Sequence, residues 1–382
     1  MVLAPGLAVA TGVQSVVGLD PQSGSVIWKM DRATGPTDVR LVMPAIDPGS
    51  ASSPGVIVYS EGTGANSGIQ ALDLATHTRK WRVSLTAPAL GAPVIADGRV
   101  FAGVSDSSVV SIDIASGSVA WTAHTDAIVD TSPAVGDGKV FALSEGASSG
   151  RARVYALDEL TGKVDWTYSP SHFATHVSAP SFADGRVIIG LGDQTVASLR
   201  SSDGKLMWSA PVRGNFSAES TPAIANGAVF IADAEGDLYA IDERTGARRW
   251  DYQFASLVIH GSPLVAGGIV YLGLEDGELA AIRATSGHLV WRTVFSIGAI
   301  GPLTPDGDLL LAPAIGVKGA VIGLRHDPSA PLSDAPSPTH LRLGLALANF
   351  AGAFLLVLAL AAVAYRYAGR RRSTDETPPE AR

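Results

Sequence analysis

All seven tryptophans of this 382-residue chain end one recurring pattern: a small residue, Ile or Leu, Asp, two free positions, Ser or Thr, Gly, three free positions, Trp. The copies end at Trp28, Trp81, Trp121, Trp166, Trp208, Trp250 and Trp291, with spacings of 53, 40, 45, 42, 42 and 41 residues. Eight residues before each Trp stands Asp20, Asp73, Asp113, Asp158, Arg200, Asp242 or Arg283. An eighth strand of the same kind, VIGLR, ends at Arg325, 42 residues after Arg283, and no Trp follows it. A second mark, a small residue then Pro then a hydrophobic residue and a turn, opens the repeats at Pro44, Pro93, Pro133, Pro180, Pro222, Pro263 and Pro302. Between the two marks each repeat reads as four short strands. Strand A follows the Pro, strand B follows an Asp-Gly or Asn-Gly type of turn, strand C ends at the motif Asp, and strand D bears the Trp. The turn residues supply the positive φ that tight hairpins need. The strands are rich in Val, Ile, Tyr and Phe, and no 12-residue stretch before residue 340 has helical periodicity.

A four-stranded meander of this length cannot bury its faces alone. Neighbouring copies must bury them, and a closed ring removes free edges. The expected fold is therefore all-β, an eight-bladed β-propeller of four-stranded antiparallel blades. The Trp is expected to pack between blades, and the motif Asp to accept backbone N–H bonds in the C–D turn. Composition agrees: 42 glycines and only 17% charged residues suit a turn-rich β protein. A net charge of −8 argues against a nucleic-acid surface, and the lack of Cys excludes disulfides, thiolate metal sites and Cys nucleophiles.

ALDELTGKVDW at 156–166 and AIDERTGARRW at 240–250 closely resemble the tryptophan-docking repeat of pyrroloquinoline-quinone (PQQ) proteins. The resemblance covers residues 1–326. Arg200, Arg283 and Arg325 depart from it at the Asp position, and His77 stands once where the repeat has Gly. It implies a PQQ-like β-propeller, usually of eight blades, but not the cofactor. The same repeat builds PQQ-dependent dehydrogenases and cofactor-free scaffolds, including outer-membrane-assembly propeller lipoproteins. The dehydrogenases of this resemblance carry large loop insertions and Ca²⁺, and many carry a vicinal disulfide. Here the repeats stay near 42 residues, Cys is absent, and no haem-attachment motif exists. The resemblance therefore points to the cofactor-free group.

The chain's ends carry further expectations. In regular repeats the Pro precedes the motif Asp or Arg by 20 residues, as from Pro93 to Asp113 and from Pro222 to Asp242, and 20 residues back from Asp20 falls before Met1. Strand A of the first blade is expected to be absent or irregular and the last blade to lack strand D, so that 30 of 32 ideal strands are filled. An upstream segment holding an export signal, a Trp-bearing strand and strand A would fill both gaps, so Met1 is expected not to be the natural start. Residues 1–17 lack a basic leader and read as strand. The propeller is assigned to 1–326 and a Pro-rich linker to 327–342. Residues 343–365, 23 without a charge, are long enough to cross a bilayer as a transmembrane helix. Arg366, Arg370, Arg371 and Arg372 follow at once. By the positive-inside rule the tail 366–382, basic then disordered, is cytoplasmic, and the propeller lies outside a cell membrane crossed once. Gly344, Ala348 and Gly352 form a small-residue face that could pack helices.

Chemistry is sparse. The B–C and D–A loops share one face of such a ring. Its B–C loops carry Glu61, Asp106, Glu145, Asp193, Asp233, Glu235, Asp237, Glu275, Asp276 and Glu278. Asp130, His176, Glu219 and His260 precede the repeat prolines by three or four residues and could ring the channel mouth as ligand-binding groups. The blander reading, solvated loop residues bonded to turn amides, is favoured because no ligand spacing marks a metal site. No catalytic residue is assigned: there is no G-x-S-x-G elbow, phosphate loop or dinucleotide fingerprint. The expected function is a membrane-anchored, non-catalytic scaffold that binds a protein or an envelope component, with no cofactor. The alternatives are a quinoprotein oxidoreductase using PQQ with Ca²⁺ and a sensor of a small ligand.

Overall fold

The computed structural model describes residues 2–4, 6–11, 15–31, 43–50, 53–62, 66–145, 152–170, 177–216, 220–258, 261–296, 298–306, 309–315, 320–325 and 342–346. Their strands form eight antiparallel sheets, each pairing four strands in chain order. These blades span Val2–Asp31, Ala45–Ser84, Val94–His124, Ala134–Tyr168, Ser181–Pro211, Ala223–Gln253, Leu264–Val294 and Ala299–Ala346, and are numbered 1 to 8 in that order. Blade 8 carries an additional two-residue strand, Ala299–Ile300. The chain is an eight-bladed β-propeller. Strands A of blades 1 to 7 lie side by side in succession around the centre, and strand A of blade 1 meets Thr304–Asp306 of blade 8. Every junction is packed. The closing one sets Ala8, Ala10, Val17 and Leu19 against Leu309, Leu311 and Val321. In the A–B turns Asp97-Gly98, Asp137-Gly138, Asp184-Gly185 and Asn226-Gly227, both residues have positive φ, the geometry that matches the twist of the flanking strands.

Both end blades differ from expectation. Strand A of blade 1 is present at Val2–Ala4 and pairs with Leu7–Thr11. Counting back from Asp20 located the missing proline mark, and the strand begins just after that position. Strand D of blade 8 is Arg342–Ala346, paired with Ala320–Arg325 from Val321↔Ala346 to Arg325↔Arg342. From sequence these residues read as the linker end and the start of the apolar span. Backbone pairing carries no residue identity, so an exposed third strand accepts an extended segment without a Trp. Each of the eight blades therefore holds at least four strands. Residues 327–341, the rest of the apolar span at 347–365 and the tail 366–382 lie outside the described residues. Among the described residues no helix is long and apolar enough to cross a membrane.

The Trp motif works between blades, as expected. Trp81, Trp121, Trp166, Trp208 and Trp250 donate from Nε1 to the carbonyls of Ile114, Glu159, Ser201, Glu243 and Ala284 at 2.8–2.9 Å, each in the C–D turn of the next blade. The indole lies on the turn glycine: a Cβ on Gly117 would stand 2.5 Å from Trp81. The motif Asp accepts turn amides, as Asp20 does from Gln22 and Ser23 and Asp73 from Ala75 and Thr76. These bonds, the Ser23 and Thr76 amides foremost, hold both carboxyls below their ordinary pKa. Arg200 and Arg283 keep the backbone bonds of the turn, with Gly204 and Gly287 donating to their carbonyls at 2.9 Å, and in the Arg200 turn Asp203 accepts the Lys205 N–H at 3.1 Å. The departures at Arg thus leave the fold intact.

The junction between blades 1 and 2 is built differently. His77 takes the glycine place at φ 58° and stacks on Trp28, with ring centroids 4.7 Å apart. Trp28 Nε1 is buried with no hydrogen-bond partner among the described residues. The ring is pressed onto Gly18, where a Cβ would stand 2.1 Å from Nε1. The residue paired with the motif Trp is Ala71, Ser111, Ala156, Ser198, Ala240 or Ala281 in the next six blades. Gly18 and His77 are therefore one coupled departure. Gly18→Ala is expected to cost about 1–3 kcal/mol by overpacking. Adding His77→Gly should restore much of that loss by returning the junction to the common geometry, with chemical denaturation as the measurement. Equal loss with and without His77→Gly would refute the coupling.

Candidate functional site

The face bearing the B–C and D–A loops is organised by tyrosines of strand C. Tyr239 of blade 6 reaches back to the loop after blade 5, where its hydroxyl accepts the Arg213 N–H at 2.9 Å. The same hydroxyl donates to Asp233 Oδ2 at 2.9 Å. Asp233 is fully buried and also accepts the N–H groups of Gly214 and Asp237. The Arg213 guanidinium forks onto Asp237 at 2.8 and 3.0 Å and reaches Asp251 at 2.5 Å. Arg213 and Arg248 both lie over the Tyr239 ring, at 5.7 and 5.3 Å. Burial pushes the Asp233 carboxyl and the Tyr239 hydroxyl up, while the bonds to Asp237 and Asp251 push Arg213 up.

Blade 4 repeats this arrangement in simpler form. The Tyr155 hydroxyl accepts the Asp126 N–H at 3.0 Å and donates to Asp126 Oδ1 at 2.8 Å. Burial opposes ionisation of Asp126, yet the bonds from Ser144 and Tyr155 and the nearby Arg153 hold its carboxyl below the usual range. Asp126 and Arg213 both stand five residues after the motif Trp, and Tyr155 and Tyr239 both precede the Ala-Leu/Ile-Asp ending of strand C. In the sequence that pairing shows only as a spacing, because a Tyr in a strand reads first as core.

The acids of this face are largely engaged in holding loops. Glu61 pairs with Arg82 at 2.5 Å, Glu235 accepts the Asn215 N–H at 2.8 Å, and Asp276 accepts the Glu278 N–H at 3.0 Å. Asp193 accepts from Thr195, and Asp106 from Thr86 and Ser108. Of the four candidate ligand groups, Asp130 is 4% exposed, buried in the turn ahead of Pro133. His176, Glu219 and His260 lie outside the described residues. Among the described residues no three His, Asp or Glu side chains converge on a metal position.

A family model of this repeat, described as outer membrane protein assembly factor BamB, matches residues 12–172 and again 150–301. The chain belongs to this PQQ-like repeat family. The PQQ-like propeller is 29% identical over 113 residues to the outer membrane protein assembly factor BamB of Yersinia pestis, covering 27% of this chain and 28% of that protein. It is 32% identical over 113 residues to the serine/threonine-protein kinase AfsK of Streptomyces griseus, covering 26% of this chain and 13% of the kinase. The chain thus spans 28% and 13% of the length of these two relatives. The solved structure of BamB from Moraxella catarrhalis superposes with a TM-score of 0.66 at 20% identity, over 82% of this chain and 92% of that one. The computationally designed Ika8 protein superposes with a TM-score of 0.66 at 14% identity, over 81% of this chain and 91% of its own. At these identities the two structures share the fold alone.

Proposed function

We propose that this PQQ-like propeller is a non-catalytic scaffold that binds another protein and is held at a membrane, outside the cytoplasm, by residues 347–365. The observation that carries the protein-binding reading is a belt of exposed apolar side chains on the outer strands. Val119, Val164, Leu206 and Met207, each 41–47% exposed, stand one or two residues before the motif Trp on the consecutive blades 3, 4 and 5. The same positions hold Arg79 and Lys80 on blade 2 and Arg248 and Arg249 on blade 6. An apolar belt bounded by cationic pairs is the surface pattern of a protein contact. The assembly-factor name of the relatives supports the same reading. The membrane reading is supported by the 19 uncharged residues at 347–365, within the length range of a bilayer helix, and by Arg366 and Arg370–Arg372 after them.

The quinoprotein alternative finds less support. PQQ is a tricarboxylate, and its binding with Ca²⁺ calls for cationic donors and an acidic cluster. Strands A of blades 3 to 7, Val94–Ala96, Ala134–Gly136, Ser181–Ala183, Ala223–Ala225 and Leu264–Ala266, hold no charged residue. Their one side-chain hydroxyl, Ser181, donates to the Pro222 carbonyl at 2.6 Å. These residues do not fit the cofactor. One experiment on intact cells tests the scaffold: a photo-reactive side chain at position 206 is expected to cross-link a discrete partner, one at position 249 is not, and protease added outside should remove the propeller. A protected propeller would overturn the membrane orientation. A stoichiometric complex of the purified chain with PQQ and Ca²⁺ that reduces a dye would overturn the scaffold.

A further inference from the structure

The residue after the motif Asp or Arg sits at the blade junction, and blades 4, 5 and 6 place a polar side chain there. Its N–H donates to the glycine of its own A–B turn: Glu159 to Gly138 at 3.0 Å, Ser201 to Gly185 at 3.0 Å, Glu243 to Gly227 at 3.1 Å. Its carbonyl accepts the docking Trp of the preceding blade: Trp121, Trp166 and Trp208 respectively, at 2.8–2.9 Å. The side chain then meets the A–B turn of that preceding blade, which offers Asp97, Asp137 and Asp184. At the junction of blades 4 and 5 the contact is an ordinary hydrogen bond, with Ser201 Oγ donating to Asp137 Oδ2 at 2.6 Å. At the junctions of blades 3 and 4 and of blades 5 and 6 the donor is replaced by Glu159 and Glu243, only 5% and 8% exposed. Glu159 Oε1 is buried with no hydrogen-bond partner among the described residues.

An ionised carboxylate cannot donate, and a buried carboxylate is repelled by the exposed aspartate that it faces. A carboxylic acid can donate as Ser201 does. We propose that these two junctions each take up one proton from solvent, held by Glu159 and Glu243 and donated to Asp97 and Asp184, so that the ring tightens as its surroundings acidify. The charged groups around Glu159 are Asp97, Arg99 and Asp158, and those around Glu243 are Asp184, Arg186, Asp242 and Arg249. Burial first, then the facing aspartate, raises both glutamates above their ordinary pKa, with the arginines opposing. A folded-state pKa raised above the unfolded one contributes stability that is fully present below the unfolded value and is lost as pH rises through the folded value.

The test compares thermal unfolding of the full chain with its Glu159→Gln/Glu243→Gln variant between about pH 5 and about pH 8. A Gln amide donates to the facing Asp without a proton. The variant is expected to melt above the parent by about 2–4 °C at the alkaline end, with the gap closing toward the acid end. Ser201→Ala should lower the melting temperature equally at every pH. A gap that does not change with pH would overturn the proposal, as would a variant that melts below the parent at the alkaline end, which would mean ionised glutamates paired with Arg99 and Arg186. If the variant does not fold, ¹³C-labelled glutamate in the parent protein decides. Glu159 and Glu243 should titrate above the ordinary carboxylate range, and titration at or below it refutes the proton uptake.

Discussion

Trp250→Ala is expected to lower the unfolding free energy by about 3–5 kcal/mol, because a large aromatic side chain leaves a void that a sheet-on-sheet junction closes poorly. The indole packs with the core shared by blades 6 and 7, lies 5.8 Å from the Phe230 ring, and donates to the Ala284 carbonyl at 2.9 Å. Truncation removes all three contacts and strands the carbonyl. Trp28→Ala should cost less. Its Nε1 has no acceptor among the described residues, and its ring lies on His77 and Gly18. Denaturant midpoints of the two variants provide the check. Equal losses would mean that the docking bond contributes nothing.

Gly287→Ala should be nearly as harmful although it adds one methyl group. Gly287 has φ +72°, and a Cβ there would stand 2.7 Å from Trp250 Cδ2. The left-handed backbone costs an alanine about 1 kcal/mol, and the clash adds about 1–3 kcal/mol as overpacking. Only the second part depends on Trp250. In a Trp250→Ala background the glycine substitution should therefore retain the backbone cost and lose the clash, giving a strongly non-additive double-mutant cycle. Additive losses would show that the glycine serves the turn alone.

The repeat made most of the fold legible because its marks are one-residue requirements. The Trp needs a glycine surface on the next blade, the turn needs positive φ, and the motif Asp has turn amides to cap. Each of these is a local demand that a sequence displays at fixed spacing. The candidate site was far less legible. Asp126 and Tyr155 lie 29 residues apart and Arg213 and Tyr239 26, so the bond from the Arg213 N–H to the Tyr239 hydroxyl appears only when one blade is laid against the next. Many of the acids that read as an exposed ring are engaged with Arg side chains, loop amides and hydroxyls, partners that a count of carboxylates cannot reveal.

The sequence by itself determined the number of blades, the order of strands within each, the glycine turns and the inter-blade role of the Trp. It also marked the odd junction, since His77 stands where the repeat has Gly. Only the tertiary structure decided how the ring closes. Strand A at Val2–Ala4 and strand D at Arg342–Ala346 lack the Pro and Trp marks, and their places are held by backbone pairing with neighbouring strands. Hydrogen bonding between main chains is indifferent to side-chain identity, so a strand can be recruited without leaving a motif. The carboxyl pairs at Glu159 and Glu243 are legible only in space for a related reason. Each lies more than 50 residues from the aspartate it faces, and the Ser201–Asp137 bond that reveals its geometry belongs to another junction of the same ring.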